Sequence, residues 1–196
     1  MTVTTLDPQT ALIVIDLQQI DLQQGVVSRP TLHPIAEVVR QASVPARAFR
    51  QRGLPVILVK VADAPSGRTE QARNRGVLPA GRTELIPELD RQPTDYPITK
   101  RTAGAFTNTG LAELLEKLGV TQVVIVGVST SMGVEATARQ ARQLGLGVTL
   151  VTDALTDLNL DTHANSVTRT FPRVGEIGPT QAIIGLLRTA HTDKSA

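Results

Sequence analysis

The sequence predicts a three-layer α/β/α domain wound around a mostly parallel, Rossmann-like sheet. Two observations carry this. Unbroken aliphatic runs of strand length (Ala11 to Ile15, Val56 to Val59, Val123 to Val126) belong to strands buried on both faces. Between them lie segments with apolar residues at helical spacing, and strands that alternate with helices build parallel sheets covered on both sides. The 196 residues suit a single domain, 1–196, with length for a sizeable core.

Each element has its own warrant. Thr10 to Asp16 is an apolar run that ends in a carboxylate. Ile35, Val38, Val39, Ala42, Ala46 and Phe49 share one helical face, and Gly53 stops that helix. Pro55 to Val61 is the second strand, and Asp95 to Lys100 a short third one. Thr109 offers a cap for a helix from Gly110 to Leu118, closed by Gly119. Gln122 to Gly127 is the next strand, and Val134 to Leu144 the helix after it. Gly147 to Asp153 is a strand, Asp161 to Phe171 a helix, and Val174 to Ile177 a short strand. Pro179 suits the first turn of a closing helix that reaches Arg188. The segment 63–82 breaks the rhythm. It holds Arg68, Arg73, Arg75 and Arg82, and a loop of that length is either functional or disordered.

Composition removes several function classes. Three Phe, one Tyr and no Trp leave little stacking surface, and the net charge is only +2. No basic stripe is interleaved with aromatics, so nucleic acid is not an expected partner. Zero cysteine excludes disulfides, thiolate zinc sites and thiol nucleophiles. The first residues lack a basic stretch followed by an apolar one, so a signal peptide is not expected. The apolar runs fall short of a membrane span. A cytoplasmic protein with no membrane partner is the expectation.

In open parallel sheets, ligands bind beyond the C-terminal strand ends, where strand order reverses. With the common order 3-2-1-4-5-6, Asp16 would end strand 1 at that reversal. The stretch Gly127-Val-Ser-Thr-Ser-Met-Gly133 follows a later strand and leads into a helix. Such a turn suits a nucleophile held over a helix N-terminus, yet it delivers a glycine at 133. Lys100 ends the third strand by direct count. The assumed order puts it on the fourth, beside strand 1, if a short element near Arg82–Leu89 fills the count. Asp16 has a capping alternative, and Lys100 a solvated one.

Four segments together are similar to the isochorismatase-like hydrolase superfamily. They are Ala11-Leu-Ile-Val-Ile-Asp16-Leu-Gln18, Thr99-Lys100-Arg101, Gly104-Ala-Phe106-Thr-Asn-Thr109-Gly-Leu and Gly127-Val-Ser-Thr-Ser-Met-Gly133-Val-Glu-Ala-Thr137-Ala138-Arg. Thr152-Asp153-Ala154 fits as well. The resemblance implies a six-stranded sheet and supports the assumed neighbour relation of the site-bearing strands. Most members are cysteine hydrolases of amides, with an Asp, Lys, Cys triad. Asp16 and Lys100 match the first two, and Gly133 stands at the cysteine position. Isochorismatases proper also have glycine there, so the departure points toward that branch. The resemblance also implies substrate contacts at Gln18, Phe106, Val128, Ser129 and Met132, and a cis peptide at Val128–Ser129. The glutamine that isochorismatases carry after the second strand is missing from Lys60-Val61-Ala62-Asp63.

The expected activity is therefore cofactor-independent hydrolysis of a small, anionic substrate, of which a vinyl ether such as isochorismate is the specific guess. Cleaving that bond requires protonation of the enol-ether carbon, and Asp16 is the acid so placed. Burial would raise its pKa while Lys100 lowers it. Lys100 either orients Asp16 or binds a substrate carboxylate. Arginines of the 63–82 segment are candidate clamps. Ser129, Thr130 or Ser131 would serve an amide or ester hydrolase using serine or activated water. A binding protein that kept the fold and lost catalysis is the third reading. His33 and His163 lack the neighbours of a metal site, so no metal is expected. The family resemblance implies a homodimer or a larger homo-oligomer.

Overall fold

The computed structural model describes residues 3–19, 34–62, 70 and 83–189. His33 and the arginines of the 63–82 segment lie outside the described residues. The strands are β1 (Thr10–Ile15), β2 (Val56–Val61), β3 (Tyr96–Lys100), β4 (Gln122–Val128), β5 (Gly147–Thr156) and β6 (Glu176–Gly178). The helices are α1 (Ile35–Gln51), α2 (Leu111–Lys117), α3 (Glu135–Gln143), α4 (Leu160–Asn165), α5 (Phe171–Val174) and α6 (Thr180–Thr189). Every strand pair is parallel, and the order is β3-β2-β1-β4-β5-β6. The three-layer fold and the strand order agree with the sequence reading.

One placement is corrected. Lys100 ends β3, which lies at the sheet edge with β2 between it and β1. Residues Pro87–Leu89 form a single 3₁₀ turn and add no strand to the count. The direct count was right, and the neighbour relation assumed for Lys100 was not.

The pleat sorts β1 into two cores. Leu12 and Val14 pack with Val38, Ala42 and Phe49 of α1 and Ile183 and Leu187 of α6. Ala11, Ile13 and Ile15 face the other way, with Leu111, Leu115, Ala138, Ala141 and Phe171. All six β1 residues are buried, as a strand covered on both faces requires. Phe49 and Phe171 are the bulkiest fully buried side chains, one per core. Truncating either to alanine costs about 3–5 kcal/mol.

Local chemistry sets the ends. Asn159 caps α4 by accepting from Asp161 N (2.9 Å) and Thr162 N (3.2 Å). Helix α2 begins at Leu111 behind Gly110, and the Thr109 hydroxyl accepts from Leu111 N at 3.3 Å. The predicted helix from Asp161 to Phe171 is two helices joined by a wider turn, Ser166–Thr170. Strand β5 runs to Thr156, past the predicted Asp153, because its register against β4 slips between Ile125 and Gly127. Asp153 lies in that slip and accepts from Thr180 N (2.7 Å) and Oγ1 (2.8 Å), so it starts α6. Gly127 meets β1 closely. Its φ is +121°, and a Cβ there would lie 2.0 Å from Ile15 O. Only glycine tolerates both conditions.

Candidate active site

Asp16 is the first residue past β1. Regular alternation would turn it toward the α1 core with Leu12 and Val14. Its φ of +50° breaks the alternation. The carboxylate instead meets Lys100 and the backbone of Gly133. Asp16 N donates to Val59 O at 3.0 Å, which fixes the turn against β2.

Lys100 reaches it from β3, one strand removed from β1 in the sheet order. Neighbouring strands are about 4.8 Å apart, so β3 lies roughly 10 Å from β1. The extended lysine closes that span, and Nζ lies 2.7 Å from Asp16 Oδ2. Nζ also donates to Ala103 O at 2.8 Å and Thr102 O at 3.3 Å. An ammonium has three protons, and all three have acceptors. With its side chain 2% exposed, Lys100 has no donor left for a substrate. The geometry therefore favours orientation of Asp16 over capture of a substrate carboxylate.

Asp16 is unequally satisfied. Oδ2 holds Lys100, while Oδ1 is buried without a hydrogen-bond partner among the described residues. Burial pushes the carboxyl up from 3.8 to about 6, against the pull of the Lys100 charge and hydrogen bond. Of the two opposed effects, burial is the larger. The result is a carboxyl group with one oxygen anchored by Lys100, one without a hydrogen-bond partner among the described residues, and a pKa raised to about 6.

Gly133 closes the third side. A Cβ built there would lie 3.1 Å from Asp16 Oδ2, 3.2 Å from Ile15 Cγ2 and 3.3 Å from Val128 O. The acid thus sits against the glycine itself. Gly133 belongs to a π-helical turn, Thr130–Val134, that leads into α3. The peptide bond Val128–Ser129 before it is cis.

Two contacts that the sequence did not disclose pin this turn. Thr130 Oγ1 donates to Thr156 O at 3.0 Å and shares a 2.8 Å hydrogen bond with His163 Nδ1. His163 lies within α4, buried, so its role here is structural. Ser131 N and Oγ both donate to Asp157 Oδ2, at 2.7 and 2.8 Å. Asp157 follows directly on β5, and that position beyond a strand end was the available signal. Among the described residues there is no group of three or more His, Asp or Glu side chains arranged to hold a metal ion. No helix among them is long and apolar enough to cross a membrane.

The other expected contacts fall in different places. Gln18 is buried and spends its amide on backbone. Nε2 donates to Thr83 O (2.7 Å) and Val61 O (3.0 Å), and Oε1 accepts from Val61 N (2.8 Å). Its observed work is to tie the chain after β1 to the end of β2. Val128 is buried in the α1 core. Phe106 is half-buried and Ser129 partly exposed, while Met132 is 61% exposed on the turn beside Gly133.

The sequence profile of the isochorismatase domain matches residues 10–182. The isochorismatase family protein YecD of Escherichia coli O157:H7 is 34% identical, over 91% of this chain and 96% of that one. Nicotinamidase 3 of Arabidopsis thaliana is 33% identical, over 78% of this chain and 76% of its own length. An isochorismatase family protein structure from Burkholderia thailandensis superposes with a TM-score of 0.85. It is 34% identical and covers 94% of this chain and 98% of that one.

Proposed function

We propose a reaction for this chain from the premise that it belongs to the isochorismatase family, as the match over residues 10–182 shows. It is a hydrolase of that family with no cysteine anywhere in its sequence. The proposed reaction is cleavage of a small, anionic vinyl ether of the isochorismate type, with Asp16 as general acid. The single observation that supports it most is the buried, unpartnered Oδ1 of Asp16 on a carboxyl whose pKa is raised to about 6.

Protonated Asp16 transfers its proton to the terminal carbon of the enol ether. The C=C electrons form the new C–H bond, and the adjacent carbon becomes oxocarbenium-like. Water adds to that carbon and loses a proton, which returns to the Asp16 carboxylate. The resulting hemiketal collapses: its hydroxyl oxygen forms the ketone C=O, its proton passes to the ether oxygen, and the C–O bond breaks to release an alcohol and pyruvate. No bond to the enzyme forms at any step, so glycine at 133 is compatible with the whole sequence. Lys100 keeps Oδ2 engaged, leaving Oδ1 as the oxygen that faces the reacting carbon. Phe106, Ser129 and Met132 are the proposed substrate contacts among the described residues.

The test is direct. Incubation with isochorismate should release pyruvate, and Asp16→Asn should reduce the rate by about 10²–10⁴-fold. Equal rates in the two proteins would end the proposal.

A second reading has one observation behind it. The Ser131 hydroxyl lies 2.8 Å from Asp157 Oδ2, within reach of a base, as an amide or ester hydrolase with a serine nucleophile would need. The same oxygen also accepts from Ser131 N, the pattern of a structural cap. A panel of amides and esters assayed with wild type and Ser131→Ala separates the two. Turnover lost with the hydroxyl supports the serine route. Ligand binding without turnover of any substrate would favour the third reading, a binding protein.

A further inference from the structure

We propose that Thr137 is a positioning residue that holds the Lys100 loop and the Gly133 turn in a single arrangement. The inference rests on the proposed acid role of Asp16 and extends it to the group that keeps that acid aligned. Lys100 owes its place to Thr102 O and Ala103 O, so the segment that carries those carbonyls decides where the ammonium sits. That segment is Arg101 to Gly110, with no regular helix or strand of its own. What fixes it lies on α3.

The Thr137 hydroxyl has one proton to give and lone pairs to offer. It donates to Gly133 O at 2.7 Å and accepts from Ala105 N at 3.1 Å. The first bond is the ordinary back-bond of a threonine to the carbonyl four residues earlier. The second is not, because it leaves the helix and reaches the loop. One atom, fully buried, thereby reads both the glycine turn and the carbonyls next to Lys100. Three residues on, Gln140 repeats the contact. Its Oε1 accepts from Phe106 N at 3.1 Å, and its Nε2 donates to Thr107 Oγ1 at 2.7 Å. Gly104 makes this approach possible, because a Cβ there would lie 2.1 Å from Gln140 Oε1. Thr102 Oγ1 donates to Gly104 O at 2.9 Å and stiffens the same loop from within.

The consequence is specific. Without the hydroxyl, Ala105 N loses its acceptor, the loop shifts, and Lys100 follows its carbonyls away from Asp16. Lys100 is the charged group that the described residues place against Asp16, and it lowers that carboxyl. Loosening it should move the Asp16 titration upward and misalign Oδ1.

The test compares wild type, Thr137→Val, Thr137→Ala and Thr137→Ser. Asp16 is followed by carboxyl-carbon NMR with labelled aspartate, its signal assigned by its loss in Asp16→Asn. Valine and alanine should raise the titration midpoint by about 1 pH unit. They should lower kcat for pyruvate release roughly 10–100-fold, with KM little changed. Serine, which keeps the hydroxyl, should restore both. Should valine fold poorly, alanine removes the same hydroxyl without adding bulk. Wild-type titration in both hydroxyl-less proteins overturns the proposal. A shifted titration in a protein whose wild type releases no pyruvate upholds Thr137 as the positioning residue and removes isochorismate instead.

Discussion

Lys100 reaches Asp16 from the far edge of the sheet, Nζ to Oδ2 in 2.7 Å, with strand β2 lying between them. The pair is asymmetric. Lys100 is saturated with three acceptors, whereas Asp16 keeps one oxygen unused. An acid held at one oxygen and idle at the other can deliver a proton in one direction only.

That asymmetry sets a pH dependence. The proposed acid must be protonated to act, and its pKa is about 6. The rate of pyruvate release should therefore be flat below pH 6 and fall tenfold per unit above it. A profile of kcat between pH 4.5 and 9 checks this. A rate that climbs through pH 6 would mean that the carboxylate, not the acid, is the working form.

The same group governs stability with a definite sign. Its pKa is raised on folding, from 3.8 to about 6, so the folded chain binds the proton more tightly than the unfolded one. Stability is then full below about pH 4 and falls as pH rises toward 6. The loss approaches about 3 kcal/mol at neutral pH. Asp16→Asn mimics the neutral acid and should be more stable than wild type at pH 8, by up to about that amount, and equal to it at pH 4. Urea unfolding at the two pH values measures both arms.

Removing Lys100 should act on the acid before it acts on the fold. In Lys100→Met, burial alone governs Asp16, so the alkaline limb of the rate profile moves to higher pH. Below that limb, kcat should fall about 10–100-fold, because Oδ2 has lost its anchor. An unmoved limb would show that Lys100 does not tune Asp16.

Gly133 should resist even one added methyl. A Cβ there meets Asp16 Oδ2 at 3.1 Å and Ile15 Cγ2 at 3.2 Å, so the neighbours must yield. Gly133→Ala should destabilise by about 1–3 kcal/mol and reduce turnover in step. Gly133→Cys carries the same crowding. A cysteine variant with full stability and new amidase activity would indicate a pocket still shaped for a thiol. Denaturant melts and an amide screen decide this.

The sheet was legible in the sequence because burial on both faces leaves unbroken aliphatic runs, whose short length and β-branched content set them apart from buried helix segments. Asp16 was legible as a carboxylate ending such a run, and Lys100 as the charged end of a short strand. The path between them was not, because strand adjacency is written in the three-dimensional packing and not in the order of the motifs. Gln18 shows the same limit. Its amide bonds Val61 and Thr83, residues remote in sequence. Thr137 was visible within a motif, but its second bond to Ala105 arises only when the loop folds back onto α3. The partners of Ser131 and Thr130 are Asp157 and His163, brought in by β5 and α4.

Met132 gives the turn an unexpected vulnerability. The only sulfur atoms in the chain are those of Met1 and Met132, so alkylating agents and peroxide find no thiol to attack. Met132, 61% exposed and adjacent to Gly133, is the soft atom they meet beside the site. Its oxidation to the sulfoxide would turn an apolar rim polar, and a sulfoxide reductase could reverse it. The oxidant-sensitive atom of this turn is therefore a thioether on its rim, one residue from Gly133.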